Sequence, residues 1–162
     1  MTHQPTLRTP VEGRTIAVVG DVYRFLATGD ETNDKYAMWE AIVPHDGGPP
    51  PHIHSREEEA FYILEGEITF TVNGEKVVAL AGMFANMPVG TPHSFRNESD
   101  RHAKMLVSDA PAGLEKMFME VGVPLVQQLP YHRPKKRSEN CSKLLPAMEL
   151  KSEFHTMIKA PC

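Results

Sequence analysis

The stretch that decides the fold is His52-Ile53-His54-Ser55-Arg56-Glu57-Glu58-Glu59-Ala60-Phe61-Tyr62-Ile63-Leu64-Glu65-Gly66. Two histidines two apart on an extended chain point to the same side. An acidic run follows, then five residues of β-branched, aromatic and aliphatic character that end at a glycine. With Glu59 opening this strand, the pleat places it on one face with Phe61 and Ile63, and leaves Glu57 and Glu58 as a solvated acidic rim. Later, His93 opens another predicted strand that carries Phe95 and Asn97 on its face. Three imidazoles and a carboxylate make a mixed nitrogen and oxygen donor set. Such a set suits one divalent transition metal among Fe, Mn, Ni, Co, Cu and Zn, and does not choose between them.

Short β-like segments extend on either side. Arg14–Val19, Val22–Thr28 and Lys35–Val43 precede the histidines, and Gly29–Asp34 reads as a turn between two of them. Pro44–Pro51 (PHDGGPPP) is a stiff extended loop leading into His52, since consecutive prolines cannot join a ladder. Ala60–Leu64, Glu67–Val72, Glu75–Leu80, Met83–Met87, His93–Asn97 and Arg101–Ser108 continue the series, with the hairpin signal Asn73-Gly74 inside it. Strands spaced this regularly predict a sandwich or barrel. Ala112–Val121 then reads as an amphipathic helix with Leu114, Met117, Phe118 and Val121 on one face. Val123–Pro134 is read as a connector, and Ser138–Leu145 as a second helix. The expected organisation is a flexible arm over 1–12, a barrel over 13–110, and a C-terminal helical extension over 111–162 that packs on the barrel.

The 162 residues fit one domain with a proper core. The formal net charge of −4 gives no pull toward nucleic acid or an anionic membrane. Residues up to Pro130 carry 10 basic and 18 acidic side chains, and those from Tyr131 carry 7 and 3, so a −8 body precedes a +4 tail. The basic run His132–Arg137 is read as a solvated linker. Cys141 and Cys162 have no disulfide-framework or metal-site spacing. With no apolar leader and no long apolar run, the expected setting is cytoplasmic. His45 is expected to be a solvated loop residue, and His3, His102, His132 and His155 surface residues.

The two motifs resemble those of the cupin superfamily. The first follows Gly-x5-His-x-His-x3-4-Glu-x6-Gly, matched by His52, His54, Glu59 and Gly66, with Asp46 standing where the opening glycine is expected and Gly47 following it. The second follows Gly-x5-Pro-x-Gly-x2-His-x3-Asn, matched by Gly82, Pro88, Gly90, His93 and Asn97. Glu58 also satisfies the shorter spacing after His54, but only Glu59 leaves six residues before Gly66. The resemblance implies an all-β, double-stranded β-helix (jelly-roll) barrel with His52, His54, Glu59 and His93 as metal ligands. It also implies a homodimer, to which Trp39 and Ile16–Val19 are candidate contributors. Met38, Phe61, Ile63, Phe95, Met105 and Val107 are expected to line a substrate pocket.

Gly47–His54, Glu59–Gly66 and Pro111–Glu115 further resemble short, single-domain quercetin-2,3-dioxygenase-like cupins. That implies a metal-dependent dioxygenase acting with dioxygen on an aromatic or enolisable small molecule, with Glu59 as base. The alternatives are a non-oxidative binding cupin for sensing or storage, and a sugar isomerase or epimerase. The isomerase needs cationic groups aimed into the cavity, and only Arg56, Arg96 and Arg101 lie near the motifs.

Overall fold

The computed structural model describes residues 4–125. Ten strands and two helices run in the order β1 Thr15–Val18, β2 Asp21–Ala27, α1 Gly29–Thr32, β3 Ala37–Val43, β4 Glu58–Glu65, β5 Glu67–Val72, β6 Glu75–Leu80, β7 Phe84–Met87, β8 His93–Arg96, β9 Ala103–Ala110, α2 Leu114–Val121 and β10 Val123–Pro124. All pairings are antiparallel. One sheet runs β10-β1-β2-β3-β9-β4-β7 and the other β6-β5-β8. This is the expected jelly-roll architecture.

Alternation makes the core. Ala37, Trp39, Ala41 and Val43 of β3 are buried, with half-buried residues between them, and β9 repeats the pattern with Ala103, Met105, Val107 and Asp109. The two sheets meet through Phe61 of β4 and Phe70 and Phe95 of the smaller sheet. Their ring centroids lie 5.0–6.1 Å apart in edge-on arrangements, a favoured aromatic geometry.

Several boundaries differ from the sequence reading. Gly29–Asp34 is not a plain turn: Gly29–Thr32 forms one helical turn, because the Thr28 amide and hydroxyl both donate to the Glu31 carboxylate. The predicted connector begins instead as β10, with Pro124 opposite Ile16. In the N-terminal arm, Arg8 donates to the Leu26 carbonyl and pairs with Glu31. Ser138–Leu145, His132–Arg137, His3, His155, Cys141 and Cys162 lie outside the described residues.

The Pro44–His54 loop is laced along β8. The Asp46 amide donates to the Asn97 carbonyl, the Asn97 amide to the Gly47 carbonyl, and His52 and His93 exchange two backbone bonds of 2.9 and 3.0 Å. Gly48 is required here. Its φ is +123°, and a Cβ would stand 2.1 Å from the Phe95 carbonyl oxygen. Asp46 adopts φ +64° in the place of the motif's opening glycine, a conformation aspartate tolerates better than most residues. Its carboxylate is held by the exposed Arg96 guanidinium at 2.8 Å.

Asn97 locks the far end of the loop. It is fully buried, and its Nδ2 donates to the carbonyls of Val43 (2.8 Å) and Arg101 (2.7 Å). Its Oδ1 accepts from the Ser99 amide and hydroxyl. Asn97→Ala should therefore cost about 3 kcal/mol, by stranding polar partners and opening a void. Urea unfolding tests this, and a loss under about 1 kcal/mol would show that the network carries little.

Candidate metal centre

His52, His54, Glu59 and His93 converge, with one donor atom from each lying within 4.8 Å of the others. Glu59 opens the inward face of β4, and His93 begins β8. The backbone pair His52–His93 sets two imidazoles side by side, with ring centroids 4.4 Å apart. Glu58 instead accepts from Asn86 Nδ2. Glu57 accepts from Arg56, and its side chain is mostly covered rather than solvated.

Hydrogen bonds fix which nitrogens face the centre. Nδ1 of His52 lies 2.8 Å from the Pro50 carbonyl, and Nδ1 of His93 lies 2.8 Å from the Thr91 carbonyl. A carbonyl can only accept, so each Nδ1 carries the proton and each Nε2 is left as the inward donor atom. His93 Nε2 is 3.1 Å from Glu59 Oε2. His54 Nε2 lies 3.3 Å from the same oxygen, yet it is buried without an aligned hydrogen bond.

The electrostatics follow from the crowding. Burial pushes the Glu59 carboxyl up, but the closeness of His54 and His93 outweighs it and holds the group below the usual carboxylate range. Burial pushes His93 down, while Glu59 and the Thr91 carbonyl more than restore it. His52 is lowered by burial and by the neighbouring His93 and His54. A cation placed among these donors would serve both the Glu59 carboxylate and the His93 Nε2 that faces it. The orphaned His54 Nε2 and the nitrogen-rich donor set fit a divalent transition metal.

Beside this cluster opens a cavity of ≈ 420 Å³, and His52, His54 and Glu59 form part of its wall. α2 contributes Leu114, Met117, Phe118 and Val121, the apolar face read from its periodicity. Phe95 and Val107 line the cavity. Phe61, Ile63 and Met105 are buried in the core and do not line it. Ile63 stands four residues along β4 from Glu59, roughly 13 Å at strand rise. Met38 does not line it either, because pleat alternation turns it to the face opposite Trp39.

Trp39 is 1% exposed and lines the cavity, so it contributes no surface to a sister subunit. Ile16 is likewise fully buried, whereas Val19 of the same run is exposed. The sequence reading missed Trp39, Tyr23 and Asp21 as wall residues. Their signal is parity: Asp21, Tyr23 and Phe25 share one buried face of β2. His45 is exposed, with Nδ1 2.8 Å from the Ser99 carbonyl, and His102 is exposed too.

With this geometry in place, comparison with known proteins is informative. Residues 38–109 match the cupin domain family. The barrel is a cupin domain. Quercetin 2,3-dioxygenase of Bacillus subtilis is 33% identical over 117 residues, which make up 69% of this chain and 31% of that protein, so the chain spans about a third of that relative's length. The HTH-type transcriptional regulator PuuR of Escherichia coli is 29% identical over 98 residues, 60% of this chain and 42% of that protein. An RmlC-like cupin from Shewanella frigidimarina shares the fold, with a TM-score of 0.61 at 17% identity over 72% of this chain and 99% of that one.

Among the described residues, no helix is long and apolar enough to cross a membrane. A metal held by the four donors should raise thermal stability, by about 2.7 kcal/mol at a hundredfold excess over its Kd. His54→Ala should weaken that binding by at least about 100-fold. Calorimetric titration of chelator-treated protein with Mn, Fe, Co, Ni, Cu and Zn measures the affinity, and thermal unfolding with and without metal measures the stability. Equal affinity in the two proteins would remove His54 from the ligand set.

Proposed function

We propose that the chain is a metal-dependent dioxygenase of the quercetinase-like kind, acting on an aromatic, enolisable small molecule. The observation that carries this reading is a buried, ionised carboxylate, Glu59, set among three histidines in the wall of an otherwise largely apolar cavity. His52, His54, Glu59 and His93 would hold the metal, whose charge would stabilise a substrate enolate or phenolate.

Glu59 has the acid–base role. Held ionised at neutral pH, it can accept the proton of a substrate hydroxyl brought to the cluster. The pairing of β4 with β9 and β7 sets where the accepting oxygen lies. Trp39, Phe95 and Phe118 offer ring faces and edges to an aromatic skeleton, and the apolar wall excludes water from the reacting carbanion. Dioxygen is the oxidant, and both of its atoms end in the organic product.

A second reading has its own support. The similarity to PuuR favours a cupin that binds a metabolite without oxidising it. A sugar-phosphate isomerase is disfavoured, since none of the described residues lining the cavity is a lysine or arginine. Arg56 is engaged with Glu57 and the Ala112 carbonyl, and Arg96 with Asp46.

Oxygen-electrode assays of metal-loaded protein with quercetin and 3-hydroxyflavone should show uptake that depends on substrate. Glu59→Gln should lower kcat/KM by at least about 100-fold. Tight binding with no oxygen uptake would replace the enzyme reading with the binding one.

The proposal includes a homodimer. Tyr62 and Phe84 face each other across β4 and the edge strand β7, and both are exposed. Light scattering should give twice the chain mass, and Phe84→Glu should shift it toward the monomer. A monomeric wild type at micromolar concentration would refute this.

A further inference from the structure

One carboxylate in the cavity wall has no part in the metal cluster. Asp21 is 3% exposed, and its Oδ1 is buried with no hydrogen-bond partner. Its Oδ2 accepts from the Tyr23 hydroxyl over a long 3.4 Å. Both residues line the same cavity as Glu59, and the rest of that wall is mostly apolar. A carboxylate left half-satisfied on an apolar wall is expensive unless something supplies a donor. The Gly48 amide lies close enough to favour its ionised form, yet burial dominates and pushes the group up to about 6.

The turn that presents Asp21 is itself unusual. Val18 and Asp21 pair across the two-residue turn Val19-Gly20, and both turn residues have positive φ, +49° and +95°. Glycine suits that position, whereas a β-branched valine does not. Val19 is nonetheless 91% exposed at the cavity rim. An unfavourable backbone that carries an exposed apolar side chain at the mouth, and an unpartnered carboxylate just inside, points to a surface built to meet a ligand.

We propose that Asp21, oriented by Tyr23, is a specificity-determining residue that accepts a hydrogen bond from a second hydroxyl of the aromatic ligand, remote from the group bound at the metal cluster. The inference rests on the proposed reading of the cavity as a site for aromatic substrates. It narrows the ligand class to aromatics carrying at least two separated hydroxyls. Asp21 is a binding residue: it moves no proton in the reaction.

The test uses binding under nitrogen, where no turnover occurs. Trp39 is the single tryptophan of the chain and lines the cavity, so quenching of its fluorescence reports occupancy. The probes are 3-hydroxyflavone and its 5-, 7-, 3′- and 4′-hydroxylated derivatives, titrated into the metal-loaded full chain. One of the added hydroxyls should tighten binding by about 10- to 100-fold in the wild type, the range for a hydrogen bond to a charged group. In Asp21→Leu that gain should fall to about onefold while 3-hydroxyflavone itself binds as before or better.

If Asp21 only braced the barrel, Asp21→Leu would weaken every probe equally, or would lose metal. Either result, or a wild type indifferent to all the added hydroxyls, overturns the proposal. Should Asp21→Leu fail to fold, Asp21→Asn decides: a reduced hydroxyl preference at unchanged 3-hydroxyflavone affinity supports the proposal, and an unchanged preference overturns it. Because binding is read without oxygen, the preference can hold where oxygen uptake is absent. Conversely, oxygen uptake without the preference would leave the dioxygenase reading standing and this inference overturned.

Discussion

Two backbone hydrogen bonds, from His52 to His93 and back, are the constraint on which the site depends. They tie a proline-rich loop to a strand more than thirty-five residues further along the chain. In an antiparallel pair, residues directly opposite one another project to the same side. This bridge therefore brings two imidazoles to the same side by backbone geometry, with no side-chain search. The third histidine follows from its place two residues along the same extended segment, with the exposed Ile53 between His52 and His54. Only Glu59 arrives from a different element, and its position is set by β4 pairing with β9 and β7. Little conformational entropy is left to lose when a cation binds. The bonds from His52 and His93 Nδ1 to carbonyls two residues upstream serve the same end, because they fix ring orientation before any ligand arrives.

The loop's composition explains why this lacing runs in sequence 44–54 and stops there. Pro49, Pro50 and Pro51 have no amide to donate, so the loop bonds β8 through residues on either side of them: Asp46 and Gly47 at one end, His52 at the other. The stiffness of the prolines spans the gap. Gly48 lets the chain pass against the Phe95 carbonyl where no side chain fits. The centre thus stands on a support with few soft torsions, beside a cavity whose other wall is a helix.

Much of this was legible in the residues, and what was not has a physical pattern. Spacing identified Glu59 over its neighbours because the pleat and Gly66 both act locally along one strand. Parity within β3 was not legible, because Ala37, Ala41 and Val43 mark the inner face only weakly beside Met38 and Trp39. Sequence reading therefore placed Met38 in the pocket and left Trp39 open to a subunit interface, where the structure has the reverse face buried. Phe61, Ile63 and Met105 are inward as alternation predicts. Whether an inward residue meets cavity or core depends on depth along the barrel, and that is set by register between strands distant in sequence. Asp21 was hidden for another reason. A carboxylate beside Gly20 reads as part of a turn, and its face becomes apparent only with Tyr23 and Phe25 beside it.

The segment Pro111–Glu115 shows how the helix and the metal motif are made interdependent. Arg56, between His54 and Glu59 in sequence, donates to the Ala112 carbonyl. A Cβ on Gly113 would stand 2.3 Å from the Arg56 guanidinium, so a larger residue there would displace that side chain. Leu114 then begins the cavity-facing side of α2, with its amide held by Asp109 at 3.2 Å. Glu115 is buried, and its two oxygens accept from the Gly29 and Gly113 amides at 3.0 and 2.7 Å. These bonds end on the first turn of the helix or just before it, while past the exposed Met117 the chain is tied again, by Arg14 on the Met119 carbonyl and, after the exposed Val121, by β10 pairing with β1. A displacement of α2 at its base must pull on the chain between two metal-ligand candidates, and one at its distal end must pull on β1, which leads into the turn that presents Asp21. The fold thus ties the cavity-facing helix to the metal motif at its base and, through β10, to the β1 edge at its other end.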